Sequence, residues 1–139
     1  MPTATSYATE QEAILSRLST GWSTTPVSWP NKPYKPTEGT AYIEPVVNRF
    51  EAFKSEITRP PQVYHPGLLT VVIRVPLNQG ELTAIGYGDT IAALYRNLTT
   101  DQITYRDPTV RTFGRDGAWY LVQVDIPFTR RSVLSSATA

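Results

Sequence analysis

The feature that most constrains this chain is alternation in two stretches. Over residues 68–75, Leu69, Val71, Ile73 and Val75 fall on one side of an extended backbone, and Leu68, Thr70, Val72 and Arg74 on the other. Both sides are fairly apolar, which suits a central strand. Over residues 118–129, Tyr120, Val122, Val124, Ile126 and Phe128 alternate with Leu121, Gln123, Asp125 and Pro127. That is a strand with one apolar face. A helical period replaces the two-residue period in two other places. Ile14, Leu15 and Leu18 form a stripe after Thr9, Glu10 and Glu12. A Thr9 cap with Glu12 three positions on predicts a helix over 10–20, stopped by Gly21. Tyr87, Ile91, Leu94 and Leu98 predict a second helix over 81–97. Gly86 and Gly88 weaken it by about 1 kcal/mol each, and their small size would allow close contact with a sheet.

Prolines punctuate the rest. Val27-Ser28-Trp29 can make a short strand, but Pro30, Pro33 and Pro36 then exclude helix and central strand, leaving an extended loop to Gly39. Residues 42–47 read as a strand in which Pro45 requires an edge or a bulge. Residues 48–66 carry Phe50, Phe53, Ile57 and Tyr64 among charges and end in Pro60-Pro61 and His65-Pro66. This stretch is either an arm that packs on a neighbouring chain or a set of further strands, because long structureless connections are unusual in a compact domain. Short strands are expected over 102–106 and 109–113, and a turn over 114–117. The order helix, strands, helix, strands predicts an α+β fold, a mixed α/β sandwich. Its sheet would be mixed and largely antiparallel, with two helices packed on one face. Residues 10–129 form a single domain, flanked by flexible segments 1–9 and 130–139.

Composition narrows the function classes. Thirteen basic and twelve acidic residues leave a formal charge of +1, which gives no general pull toward nucleic acid or anionic membrane. The chain has no cysteine and one histidine. Disulfide scaffolds, thiolate zinc sites, cysteine nucleophiles and multi-histidine metal sites are therefore excluded. Residues 1–9 lack the basic and apolar regions of a signal peptide, and the longest apolar run falls far short of a membrane span. Folding in a cytosol, with no membrane partner, is the expectation.

No motif signals catalysis. His65 has only Ser55 and Glu56 near it in sequence, so a loop or interface role outweighs a catalytic one. Gly86-Tyr87-Gly88 lacks the third glycine and the preceding strand of a dinucleotide site. Asp101, Asp107 and Asp116 sit in turns, where carboxylates commonly serve backbone amides. No catalytic, cofactor or metal residue is assigned. Arg106, Arg111 and Arg115 lie near Tyr105, Phe113 and Trp119, the residue mixture of protein interfaces. With Phe50, Phe53 and Tyr64 they form the candidate interface residues. The competing use of such a mixture is a single-strand nucleic-acid platform, against which the weak net charge argues.

Several motifs in order carry a family resemblance. They are Ile14-Leu15-Ser16-Arg17-Leu18, Val27-Ser28-Trp29-Pro30-Asn31, Gly39-Thr40-Ala41-Tyr42-Ile43-Glu44-Pro45, the strand from Gly67 to Pro76, and Gly117-Ala118-Trp119-Tyr120 running on to Ile126-Pro127-Phe128. Together they resemble the tail terminator proteins of long, non-contractile-tailed phages and related prophages. The likeness covers about residues 10–128, and 48–66 is its variable part. The resemblance implies a virion structural protein at the head–tail junction, assembled in the host cytoplasm. Its partners would be itself, as a ring and usually a homohexamer, the tail-tube protein and a head-completion or connector protein. DNA would pass through the lumen without specific binding, and no cofactor is implied. A cyclic ring needs two different complementary patches. The stretch 48–66 and the hairpin over 111–117 are the candidates. Other neck or connector proteins and tail-tube subunits are the alternatives, with a nucleic-acid-binding module and an enzyme using His65 more distant.

Overall fold

The computed structural model describes residues 6–30, 32–37, 39–55 and 62–133. Helix α1 spans Tyr7–Gly21. It starts earlier than position 10 because Ser6, and not Thr9, is its cap. The Ser6 hydroxyl accepts from the Thr9 N–H, while the Thr9 hydroxyl accepts from the Ser6 N–H. Thr9 is thus the third helical residue of a reciprocal capping box. The helix buries Glu10, Ala13, Ile14 and Leu18, and Leu15 sits at the margin.

Strand β1 is Tyr42–Arg49, β2 is Phe53–Ser55 and β3 is Gln62–Pro76. A 3-10 turn at Leu77–Gln79 leads into helix α2, Glu81–Tyr95. Then follow β4 (Thr99–Thr100), β5 (Ile103–Tyr105), β6 (Thr109–Asp116) and β7 (Trp119–Val133). The seven strands of the described residues make one sheet in the order β1-β3-β7-β5-β4, with β2 also on β3 and β6 also on β7. Every strand pair is antiparallel, and one isolated parallel bridge joins Val27 to Ile43. Val27 is therefore a single bridge and not the short strand expected over 27–29. The fold is α+β, with both helices on one face of the sheet.

The two alternating stretches are its axis. β3 and β7 each have 15 residues and pair along their whole length, from Gln62↔Val133 to Pro76↔Trp119. At about 3.4 Å per residue they make a ribbon about 50 Å long. Each long strand serves two short neighbours in tandem. β1 pairs with β3 as far as Gly67, and β2 takes over at Tyr64. β6 pairs with β7 as far as Asp125, and β5 takes over at Phe128.

Two prolines stand at these hand-overs. The Pro66 carbonyl accepts from the Phe50 N–H (3.0 Å), and the Pro127 carbonyl from the Arg106 N–H (2.8 Å). A residue in an antiparallel strand turns its nitrogen and carbonyl to the same side. Each proline nitrogen thus faces a gap between successive neighbours, where no ladder bond is lost. Pro45 obeys the same rule at the edge. Ile43 points its N–H and carbonyl outward to Pro26 and Ser28, so Pro45, two residues on, also turns outward.

The core lies between the sheet and the helices. Leu69, Val71, Ile73 and Val75 meet Val122, Val124, Ile126 and Phe128 there, all buried as the alternation requires. Gly67 faces Phe128 across the ribbon, and a Cβ at Gly67 would lie 2.3 Å from the Phe128 ring. Gly88 brings α2 onto the sheet, with Val110, Val122 and Val124 3.0–3.5 Å from where its Cβ would be. Gly86 faces open space. The Tyr95 hydroxyl donates to the Ile14 carbonyl (2.7 Å), tying α2 to α1. Burial pushes the Tyr95 and Tyr105 phenols up.

Of the two readings of 48–66, the described part follows the further strands: the end of β1, all of β2 and the first residues of β3, with 50–52 between them outside any strand. Residues 56–61 lie outside the described residues. The turn expected over 114–117 narrows to Gly117-Ala118, while Gly114 (φ 86°) marks a register shift within the strand pair β6–β7. β7 continues past Thr129 to Val133, and Arg130 within it is buried. Residues 1–5 and 134–139 of the two terminal segments lie outside the described residues.

Candidate functional site

Both helices pack on one side, so the other sheet face is bare of helices. Its side chains are Tyr42, Glu44 and Val46 from β1, then Tyr64, Leu68, Thr70, Val72 and Arg74 from β3. Trp119, Leu121, Gln123, Asp125, Thr129 and Arg131 of β7 share that side. Internal polar pairs neutralise the centre of this face. Asp125 is buried beneath Arg111 (2.8 Å), Gln123 (2.8 Å) and Thr70 (3.3 Å), and Arg74 pairs with Glu44 (3.0 Å). At the β6–β7 hairpin end, Tyr42 packs between Tyr34 and Trp119, with Arg74 over its ring.

The other end is built differently. Phe53 stacks on its cross-strand partner Tyr64 at 5.3 Å between ring centroids. Arg106 and Arg131 stand beside them, and Thr99, Gln102, Thr104 and Thr129 complete a cleft of about 340 Å³. Among the described residues neither guanidinium pairs with a carboxylate. A second groove of about 460 Å³ runs between β1 and the proline-rich segment, walled by Trp29, Pro30, Pro33 and Val46.

The six candidate interface residues are thus divided. Phe53, Tyr64 and Arg106 come together in the cleft. Phe50 is exposed just beyond β1. Arg111 stands on the bare face against Asp125, and the register shift sets Arg115 beside Tyr120 on the helix side. The three arginines do not form one patch, because Arg115 pairs beside Tyr120 at the start of β7 and Arg106 bonds at Pro127, farther along it. Arg131 joins the cleft from a stretch expected to be loose. Continuing the alternation of Pro127 and Thr129 by one step would have placed it there.

His65 lies on the helix side. Its Nε2 shares a hydrogen bond with Ser132 Oγ and its Nδ1 with the Tyr7 hydroxyl, each at 3.0 Å. Burial lowers its pKa first, then the Arg130 charge, with Glu10 opposing. Glu10, in α1, is fully buried and ion-paired with Arg130 (2.6 Å) and Arg49 (3.1 Å). Glu56, the carboxylate nearest His65 in sequence, lies outside the described residues, as does the Ser55 side chain. This network fastens the start of α1 to β1, β3 and β7. Among the described residues, no group of three His, Asp or Glu side chains is placed to hold a metal ion, and no helix is long and apolar enough to cross a membrane.

The decisive comparison is with a family model described as phage tail terminator protein, which matches residues 11–128. The chain belongs to the phage tail terminator family. The match takes in α1 from Gln11 onward, α2, every strand but the last residues of β7, and the ordered motifs that carry the resemblance. Tail terminator membership gives the protein a place in the phage tail and a structural, non-enzymatic role. A solved structure of 16% identity superposes with a TM-score of 0.63, covering 91% of this chain and 98% of its own, and shows that the fold recurs. No curated protein matches the chain in sequence. For a tail terminator, the bare sheet face and its cleft are surfaces suited to protein contact.

Proposed function

We propose that this tail terminator forms a closed ring, a homohexamer, on the head-proximal end of the tail tube. The ring stops tube polymerisation and offers its far side to a head-completion or connector protein at the head–tail junction. DNA passes through the lumen without specific binding. The observation that carries this reading is a two-layer architecture with one uncovered sheet face in a chain of the tail terminator family. A ring subunit must show two unlike surfaces to its two neighbours. Here the helix layer and the bare sheet are unlike surfaces by construction. Near-neutral charge suits a conduit that must not grip DNA.

Negative-stain electron microscopy and mass photometry of concentrated protein test the ring, and purified tails test its seat. The expected result is closed rings of uniform diameter, or capped tail tips where free protein stays monomeric. Long tubes would identify a tube subunit instead. Phe53→Asp serves as the first variant. Phe53 is 56% exposed, so the fold should survive with an unchanged circular dichroism spectrum while ring formation is impaired. Intact ring assembly by that variant would remove Phe53 from the interface.

A further inference from the structure

We propose that the partner of the aromatic cleft is helix α2 of a second copy, with Leu82 entering beside Phe53 and Tyr64 and Asp89 meeting the cleft arginines. This rests on the ring reading and names the contact that would build it. The cleft has an apolar, stacked floor and two guanidiniums, Arg106 and Arg131, with no carboxylate among the described residues of its lining. It calls for a large apolar side chain with an acid at a fixed distance. Helix α2 carries both. Leu82 is 84% exposed, the highest value of any large hydrophobic among the described residues. Residues 77–95 hold two acids, Glu81 and Asp89, and no lysine or arginine.

Geometry and charge agree. Leu82, Gly86, Asp89 and Ala93 recur at helical spacing on the outward side of α2, away from the buried Ala84, Gly88 and Ile91. Nothing lies within 4 Å of where a Gly86 side chain would begin, so a partner can approach the helix closely between Leu82 and Asp89. These two residues are two turns apart, about 10 Å along the axis. In the cleft, Tyr64 on β3 and Arg106 beside β5 are separated by two strand spacings, also about 10 Å. The helix face and the cleft lie on opposite layers of the molecule, so the contact is heterologous and each copy uses both surfaces once.

The cysteine-free chain makes the test direct. Leu82→Cys and Phe53→Cys place single thiols at exposed positions, and circular dichroism checks that each variant folds. Rings, or tail tips capped by the protein, are assembled from the two variants mixed and are then oxidised. The expected product is a disulfide-linked mixed dimer, with neither variant cross-linking alone. A second arm uses charge. Arg106→Glu should weaken assembly at least about tenfold, and combining it with Asp89→Arg should restore it. Rings that form without the mixed cross-link would overturn this docking and leave the ring reading standing. Loss of tail binding by cleft variants whose rings are intact would assign the cleft to the tube subunit and also overturn it. Absence of rings and of capped tails from the parent protein would sink the ring reading, and the docking with it.

Discussion

Glu10 is a carboxylate on the core-facing side of an amphipathic helix, held by Arg130 and Arg49. Removing one partner of such a buried pair leaves an uncompensated charge, so Glu10→Ala should cost about 3–5 kcal/mol in denaturant unfolding. The paired replacement Glu10→Leu with Arg130→Met should lie much closer to the parent, since it removes both fully buried charges and leaves the partly exposed Arg49 its bonds to Gln11 and the Tyr7 carbonyl. His65 beside them gives stability a pH dependence of known sign. Its pKa is lowered in the folded protein, so below the unfolded value of 6.5 the unfolded chain binds the proton more readily. Stability from this site is therefore retained above that value and lost as pH falls toward the lowered folded one. Melting curves between about pH 7 and pH 5 should show a decline that His65→Gln reduces. A flat profile would mean that the network accommodates the third cation.

At the scale of elements, glycine and proline report contacts that propensity alone cannot. Gly86 and Gly88 weaken the helix pattern equally, yet only Gly88 touches the sheet. Gly86→Ala should stabilise the protein by up to about 1 kcal/mol, because the helix gains propensity and the new methyl meets nothing. Gly67→Ala should destabilise it by about 1–3 kcal/mol, because the methyl would collide with Phe128. Equal effects at the two sites in chemical denaturation would contradict this packing. Helix α1 and strand β7 were legible as elements but not at their ends. Ser6-x-x-Thr9 and Thr9-x-x-Glu12 both fit a capping box, and which one forms depends on where Tyr7 and Glu10 find their partners. The end of β7 was hidden by Arg130, Arg131 and Ser132, which read as polar tail until Glu10 and His65 supply partners.

The whole molecule is a long two-stranded ribbon with helices on one side, and its assembly follows from what that layout leaves uncovered. The cleft combines β2, β3, β4, β5 and β7, whose contributing residues run from Phe53 to Arg131. Phe53, Tyr64 and Arg106 were visible as interface residue types, but their meeting is a consequence of the tandem hand-overs along β3 and β7. Arg111 and Arg115 look alike in sequence and part company at the Gly114 register shift. Leu82 carried one sequence signal, as a large apolar residue off the stripe of Tyr87, Ile91 and Leu94. If assembly uses these surfaces, Phe53→Asp and Arg106→Glu should impair it without lowering monomer stability by more than a few tenths of a kcal/mol, as exposed substitutions generally do.

The sequence by itself determined the two central strands, the faces they bury, both helices and the absence of thiol or multi-histidine chemistry. Those properties follow from period, residue type and composition, which are local. The tertiary structure decided which prolines a central strand could tolerate, which buried charges found partners, and which exposed residues share a surface. Each depends on neighbours far away in the chain: Pro66 is tolerated because β1 stops at Arg49 before it, and Arg130 is buried because Glu10 meets it across the core.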